Sequence, residues 1–174
     1  MIFITVGTHE QPFDRLIREV DKIIENGLDT EIFAQIGYSE YIPKRYKFKK
    51  FISFEEMKKF VEQADIIVTH GGPGSIFMPL YMRKVPIVVP RRKEFGEHID
   101  NHQLYFAKSL NKQKKIIIIE DISNLSEVLQ NYHNYKEECL IEKNTNNINN
   151  YVKHLECFMK SYISNLKIRM MQNV

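Results

Sequence analysis

The sequence has few of the features of a secreted or membrane-spanning protein. Its two cysteines, Cys139 and Cys157, are too few for a disulfide framework. Met1 leads straight into the strand-like IFITV without a basic segment, so we expect no signal peptide. No apolar run approaches the roughly 20 residues that cross a bilayer, and any membrane association must then be peripheral or through a partner. We therefore expect a reduced, cytoplasmic setting.

Two common nucleotide-binding motifs are also absent. The sequence contains neither G-x-G-x-x-G nor G-x-x-x-x-G-K-[ST], which disfavours NAD enzymes and P-loop NTPases. The net charge is +3 and the 27% of charged residues are of mixed sign. This balance gives no reason to expect a nucleic-acid partner.

The length and the hydrophobic pattern indicate one α/β domain. A chain of 174 residues with 43% hydrophobic content suits a single domain with a sizeable core, and two full Rossmann-like lobes would not fit. Strand and helix patterns alternate from Met1 to Tyr132, which predicts a Rossmann-like, doubly wound parallel sheet of about five or six strands. The predicted strands are Ile2 to Val6, Glu31 to Ile36, Tyr46 to Phe51, Ile66 to Thr69, Pro86 to Val89, and Lys114 to Ile119. The predicted helices include Pro12 to Asn26 and Asp121 to Tyr132, and Ser53 with Glu56 predicts a capping box at the start of another.

The C-terminal part differs from the rest, so we divide the chain into a domain at 1–143 and a segment at 144–174. Residues 144–150 are rich in asparagine and indicate a loop or hinge. A long amphipathic helix, roughly 35 Å in length, is predicted from about Asn147 to Met171. Its apolar residues recur every three or four positions: Ile148, Val152, Leu155, Met159, Ile163, Leu166 and Met170. The stripe could pack on the sheet of its own domain or on a partner chain.

The glycine loop, His70-Gly71-Gly72-Pro73-Gly74-Ser75, lies between a predicted strand and a predicted helix. Glycines at such a turn let backbone approach a ligand, and the N–H groups of the first helical turn suit a phosphate. A tight connection without a ligand is the plainer alternative. We expect His70 to orient the loop rather than to act as a base.

Polar residues also follow the adjacent strands at the same predicted edge of the sheet, where ligands of open α/β sheets bind. Gly7, Thr8 and His9 follow the first strand. The connection after the fifth predicted strand carries Arg91, Arg92, Glu97, His98, His102 and Gln103. The alternative to a ligand contact for the two arginines is that they lie in a solvated loop. His98 and His102 are four apart on a predicted helix, but a metal site needs a third ligand and none is evident, so we expect no metal and no cofactor.

Two separated segments carry a resemblance to a known family. THGGPGS followed by KVPIVVPRRKEFGEHIDNHQ, with ITVGTHEQPFDRLI at the start, resembles the donor-binding soluble subunit of two-subunit bacterial exopolysaccharide and capsule glycosyltransferases. That group is similar to the C-terminal half of GT-B family 28 enzymes and to the donor-binding subunit of the eukaryotic dolichol-linked N-acetylglucosaminyltransferase. The resemblance spans about the first 120 residues.

The resemblance implies a single C-terminal-type lobe of a GT-B glycosyltransferase that holds a UDP-sugar as substrate. It implies an inverting transfer, without a metal, to a lipid-linked saccharide acceptor. It also implies a membrane-anchored acceptor-binding subunit, which recruits this chain to the inner face of the cell membrane. A non-catalytic nucleotide-sugar-binding or regulatory subunit is the alternative. A sugar-nucleotide 2-epimerase of the same fold is disfavoured because it needs two lobes in one chain.

The donor-binding residues implied by the resemblance lie at the predicted sheet edge. They are Gly7, Thr8, His9, Phe51, Ile52, His70, Gly71, Gly72, Pro73, Gly74, Ser75, Arg91, Glu97, His98 and Gln103. Phe51 and Ile52 are the expected uracil contacts, and His9 and His98 are the candidates for a catalytic role. The sequence departs from the family at Met78 and Pro79, where an acidic or amide side chain often bonds the ribose, and at Arg83, where glycine is usual. Glu97 or Gln103 is then expected to recognise the ribose.

Overall fold

The computed structural model describes residues 1–141, in which six strands form one parallel sheet. The strands are β1 (Ile2–Thr5), β2 (Ile32–Gln35), β3 (Lys47–Lys49), β4 (Ile66–Thr69), β5 (Ile87–Val88) and β6 (Ile117–Ile118). Their order across the sheet is β3-β2-β1-β4-β5-β6, which is the doubly wound order. The predicted parallel sheet is confirmed, and all six predicted strands are present, most of them shorter than predicted.

Helices connect the strands. They are α1 (Asp14–Glu25), α2 (Phe54–Gln63), α3 (Pro73–Tyr81), α4 (His102–Lys112), α5 (Leu125–Gln130) and α6 (Tyr132–Ile141), with short 3₁₀ helices at Lys93–Phe95 and Ile122–Asn124. The helix predicted from Asp121 to Tyr132 is instead a 3₁₀ turn followed by α5, and α6 was not predicted. At the start of α6 the buried Tyr132 hydroxyl donates to the carbonyl of Val85 at 2.7 Å, which ties the helix to the chain entering β5.

The two faces of the sheet are covered because neighbouring residues of a strand point to opposite sides. In β1, Ile4 is fully buried in the cluster that includes Leu16 of α1. Phe3 points the other way and stacks on Phe60 of α2, with ring centroids 5.2 Å apart. The strands therefore consist of near-continuous apolar residues, as expected for a parallel sheet between two helical layers.

The predicted capping box at the start of α2 is confirmed. Ser53 Oγ accepts the Glu56 N–H at 3.1 Å, and Glu56 Oε2 accepts the Ser53 N–H at 2.9 Å. Lys49 Nζ lies 2.6 Å from the other carboxylate oxygen, so the end of β3 is tied to the start of the helix. This contact and the bond from the Ser53 N–H lower the pKa of Glu56 to about 2.

The predictions for the C-terminal part lie outside the described residues. These are the hinge at 144–150, the long amphipathic helix, and hence the division of the chain into 1–143 and 144–174. Among residues 1–141, none of the helices has the length and apolar character needed to cross a bilayer.

Candidate functional site

The carboxyl ends of β1 and β4 lie side by side at the point where the strand order reverses, which is where open α/β sheets bind ligands. A buried amide fixes the first of these ends. Gln35 Nε2 donates to the carbonyl of Gly7 at 2.9 Å and to that of Lys50 at 3.0 Å, and its Oε1 accepts the Gly7 N–H at 3.1 Å. One side chain therefore holds the turns after β1 and β3 in place, with Thr8 exposed and His9 half-buried.

The imidazole of His70 fills the space between two glycines. A Cβ on Gly7 would lie 2.4 Å from His70 Cε1, and a Cβ on Gly72 would lie 2.4 Å from Nε2. A Cβ on Gly71 would come 2.7 Å from the Cβ of Gln103, at the start of α4. From the sequence, these glycines were expected to let the backbone approach a ligand. The structure corrects this interpretation, because the space beside each of them is occupied by another side chain of the chain itself.

His70 is a neutral, buried group. Burial is the main cause that lowers the pKa of His70 to about 3, and the positive charge of Arg91 is the second. The hydroxyl of Ser75 lies 3.3 Å from Nδ1, so the ring contacts the far end of the glycine loop as well as its glycines. A neutral ring packed in this way can position the loop, whereas it cannot supply a positive charge to a ligand at neutral pH.

The glycine loop ends at the N-terminus of α3, and this end is accessible. Gly72 is the N-cap, Pro73 takes the first helical position, and the Ile76 N–H is bonded to the Gly72 carbonyl. The N–H groups of Gly74 and Ser75 precede it in the first turn, where amides have no intrahelical acceptor. Residues 72–75 are partly exposed. This is an arrangement that binds anions, since the amides and the positive end of the helix dipole point the same way.

The prediction for Arg91 needs correction. Its guanidinium is fully buried, and it donates to the carbonyls of Val6 at 2.9 Å, Gln11 at 2.6 Å and Glu97 at 3.0 Å. The ring of Phe13 lies 4.9 Å from its central carbon. Burial lowers the pKa of Arg91 to about 10, which leaves it charged at neutral pH. Arg91 is therefore neither in a solvated loop nor free to contact a diphosphate. It joins the turn after β1 to the connection after β5.

Glu97 is likewise committed within the protein, which is contrary to its predicted contact with ribose. It is buried, and its two carboxylate oxygens accept from Arg15 Nε at 2.8 Å and from an Arg15 terminal nitrogen at 2.9 Å. The backbone N–H of Arg92 adds a third bond at 3.1 Å. Gln103 differs, because its Oε1 is buried and has no hydrogen-bond partner among the described residues. Of the two predicted ribose contacts, only Gln103 retains an uncommitted polar atom.

Three imidazoles meet at the mouth of the site. The rings of His9 and His98 stack with centroids 4.4 Å apart, and the edge of His102 faces His98 at 4.7 Å. His98 precedes α4 and His102 begins it, so the two do not share a helix as predicted. His9 Nε2 lies 2.8 Å from Gln11 Oε1, which favours the tautomer with the proton on Nε2 and leaves Nδ1 as an acceptor. Asp100 Oδ1 contacts His102 Nδ1, a pairing that the sequence analysis missed.

The end of β3 supplies an aromatic surface to the same edge of the sheet. Phe51 is 45% exposed and meets Tyr38 edge to face, with centroids 5.1 Å apart. Ile52 is half-buried and packs against the layer of α2. On α3, by contrast, Met78 and Pro79 are buried, so the two positions that depart from the family face the interior and offer no polar contact to a ligand.

The fold is a Rossmann-like, doubly wound domain with an accessible helix N-terminus at the switch point of its sheet. The profile of the glycosyltransferase family 28 C-terminal domain matches residues 1–157, and the chain belongs to this family. The resemblance stated from the sequence is thereby confirmed at the level of the family.

Relatives of known activity cover part of the chain. It is 30% identical over 121 residues to the UDP-N-acetylglucosamine transferase subunit ALG13 of Mus musculus, covering 64% of this chain and 10% of that protein. It is 25% identical over 115 residues to the UDP-N-acetylglucosamine--N-acetylmuramyl-(pentapeptide) pyrophosphoryl-undecaprenol N-acetylglucosamine transferase of Streptococcus thermophilus, covering 65% of this chain and 32% of that protein. The matched region thus spans a tenth to a third of these relatives.

Solved structures share the fold. MurG of Acinetobacter baumannii aligns with a TM-score of 0.54 at 17% identity, over 88% of this chain and 49% of that one. The glycosyltransferase SnogD of Streptomyces nogalater aligns with a TM-score of 0.53 at 16% identity, over 81% and 38%. This chain therefore has the fold of one lobe of a GT-B glycosyltransferase, as predicted.

Proposed function

We propose that the chain is the catalytic, donor-binding subunit of an inverting glycosyltransferase that uses a UDP-sugar. The observation that carries the proposal is the accessible N-terminus of α3 beside β1, in a domain of glycosyltransferase family 28. Two relatives named as UDP-N-acetylglucosamine transferases support UDP as the nucleotide. The acceptor in this proposal is a lipid-linked saccharide, and the pathway is the synthesis of a surface or capsular polysaccharide.

The proposed chemistry places the diphosphate on the glycine loop. When the sugar leaves UDP, negative charge grows on the diphosphate, and preorganised N–H donors stabilise it. The N–H groups of Gly74 and Ser75 and the Ser75 hydroxyl are the donors in our proposal, and this transfer uses no metal. His70 contributes by holding the loop, since its contact with Ser75 at 3.3 Å fixes the hydroxyl near the first helical turn.

The proposed position of the base follows from an accessible ring, and that of the ribose from a buried amide oxygen without a partner within the described residues. Uracil packs beside Phe51, whose exposed ring is already held by Tyr38, and Ile52 closes one side. A hydroxyl group of the ribose or of the sugar donates a hydrogen bond to Gln103 Oε1, which has no partner in residues 1–141. A buried amide oxygen without a hydrogen bond costs free energy, so a ligand that donates a hydrogen bond to it should gain affinity.

The acceptor hydroxyl needs a base, and His9 is our candidate in this chain. Its Nδ1 is left as an acceptor when Nε2 donates to Gln11, and the ring is half-buried at the mouth of the site. His98 is buried and its pKa is lowered by burial and by the neighbouring His9 and His102, so it suits an orienting contact better. A base on a second polypeptide is the alternative.

We propose that a membrane-anchored acceptor-binding subunit completes the cleft and brings this chain to the inner face of the cell membrane. The word subunit in the name of the relative ALG13 supports a heteromer. Next to the imidazoles, Ile99 and Tyr105 are 70% and 68% exposed, which is the kind of apolar surface that a second lobe would cover. The segment 144–174 is a further candidate for the docking surface.

A non-catalytic, nucleotide-sugar-binding subunit is the second candidate function. It is favoured by Met78 and Pro79, because their burial removes the polar contact that α3 commonly makes with the ribose. The two candidates share donor binding and differ in turnover, so one pair of experiments separates them.

Calorimetric titration of the full chain with UDP tests donor binding. We expect saturable binding of UDP and weaker binding of ADP. Uridine should also bind more weakly than UDP, because the diphosphate supplies the contact with α3. Absence of UDP binding at millimolar concentration, with the circular dichroism of a folded protein, would contradict the proposal. Transfer from a UDP-sugar to a lipid-linked acceptor only when the partner is added would support the split enzyme, whereas robust transfer by this chain alone would refute it.

A further inference from the structure

Three side chains of metal-ligating type converge ahead of α4. One ligand atom from each of His98, Asp100 and His102 lies within 4.8 Å of the other two. Within residues 1–141, no other set of three histidine, cysteine or acidic side chains is so arranged. The sequence spacing is two residues at each step, so one short loop presents all three groups.

One of the three separations is that expected between two ligands of a small cation. Zinc binds imidazole nitrogen and carboxylate oxygen at about 2.0–2.2 Å, so its ligands in a tetrahedron are about 3.3–3.6 Å apart. His98 Nδ1 lies 3.3 Å from Asp100 Oδ1, and His102 Nδ1 contacts the same oxygen. A shared cation requires the exposed His102 ring to turn so that a nitrogen lone pair replaces its N–H, and His98 Nδ1 to exchange the Asp100 N–H for the metal.

Local hydrogen bonds hold the three groups close together. Asp100 Oδ1 accepts the backbone N–H of His102 at 3.0 Å, as an aspartate before a helix often does. The backbone N–H of Asp100 donates to His98 Nδ1 at 3.3 Å, which holds the buried His98 ring beside the carboxylate.

We propose that His98, Asp100 and His102 bind a divalent transition metal of the zinc type, with the remaining coordination position facing solvent. Two imidazoles and one carboxylate form a common protein ligand set for zinc, with a further position left for water or another ligand. The sequence analysis dismissed a His98–His102 pair for want of a third ligand. Asp100, between them in the loop, is that ligand. The site is separate from the phosphate contacts assigned to α3, and its occupancy does not depend on UDP.

Zinc binding to the full chain is the direct test. The protein is treated with a chelator, dialysed and titrated with zinc chloride by calorimetry. The substitution Cys157→Ser is built into every variant, because that cysteine lies outside the described residues and a thiolate is a strong zinc ligand. We expect one equivalent of zinc to bind. Cobalt(II) at the same site should give the intense visible absorption of a four-coordinate centre.

Matched substitutions locate the site. Asp100→Asn and His102→Ala change exposed side chains, and each should lower zinc affinity at least about tenfold, the smallest effect expected when even a supporting group is lost. His133→Ala is the control, because His133 is exposed and pairs with Glu137 at 3.1 Å but lacks a third ligand. It should bind zinc as the parent does.

Two results would overturn the proposal. One is the absence of saturable zinc binding by the parent. The other is unchanged affinity in both Asp100→Asn and His102→Ala. A UDP titration of the same samples gives a separate readout, so failure of the metal site leaves the proposed donor binding untouched and the reverse also holds.

Discussion

His70 Nε2 lies where a side chain on Gly72 would have to be, 2.4 Å from the position of an added Cβ. Gly72 has an ordinary φ of −72°, so alanine is allowed there by the backbone and is opposed only by the imidazole. We predict that Gly72→Ala lowers the free energy of unfolding by about 1–3 kcal/mol, the usual cost of overpacking. Urea denaturation followed by circular dichroism measures it.

A double-mutant cycle with His70→Ala is the control for this prediction. With the ring removed, the Cβ at position 72 has room, so the cost of Gly72→Ala should fall toward zero. An equal cost in both backgrounds would mean that the glycine is needed for another reason. The nearest obstacle to a side chain at position 72 therefore belongs to the protein itself.

His70 should also make stability depend on pH. The unfolded chain binds a proton at this residue below about pH 6.5, whereas the folded chain does so only near pH 3. The contribution of the neutral ring is therefore complete above pH 6.5 and is lost as the pH falls toward 3. We predict that His70→Gln, which cannot titrate, shows a shallower loss of unfolding free energy between pH 6.5 and 4, measured by urea denaturation at each pH. Parallel curves for the two proteins would contradict the lowered pKa.

Arg91 should matter for folding rather than for direct contact with the donor. Replacing it with methionine keeps much of the volume but leaves the carbonyls of Val6, Gln11 and Glu97 without their donor. We predict a loss of about 3–5 kcal/mol in unfolding free energy, the scale of removing one partner from a buried ionic network. Arg18→Met, at an exposed position of α1, is the matched control and should cost less than about 0.5 kcal/mol. A stable Arg91→Met protein with reduced UDP affinity would instead restore a role in ligand binding.

The fold was predictable because its signals are local. β4 was predicted with its observed bounds, since the apolar run Ile66–Thr69 ends at the glycine loop. β5 and β6 were predicted longer than they are. A strand extends only as far as the neighbouring strand supplies backbone hydrogen bonds, and the sequence does not show which residues of two strands are paired. α6 was missed because its residues show no apolar face at helical spacing. It is held by the Tyr132 hydroxyl, which donates to the Val85 carbonyl, and by the burial of Cys139 in the core.

The site was predictable in position but not in the direction of its side chains. The residues at the ends of parallel strands do meet at one edge, as the alternation of strands and helices requires. Which arginine of the pair Arg91 and Arg92 turns inward depends on carbonyls that lie about 80 residues earlier in the chain, such as that of Gln11. The same holds for Glu97, whose partner Arg15 is on α1. Such long-range pairs have no local signature, so buried charges were mistaken for ligand contacts.

The last prediction concerns His9. If its Nδ1 takes the proton of the acceptor hydroxyl, His9→Ala should lower kcat by about 10²- to 10⁴-fold, the usual contribution of a general base, with UDP affinity nearly unchanged. Gln11→Ala removes the partner of Nε2 at 2.8 Å, so it should lower kcat less than His9→Ala. The measurement is transfer by the chain reconstituted with its partner, alongside a UDP titration of each variant, and His133→Ala is the control. Full turnover in His9→Ala would contradict this assignment and move the base either to His102, whose Nε2 is left as an acceptor when Nδ1 donates to Asp100, or to the second polypeptide.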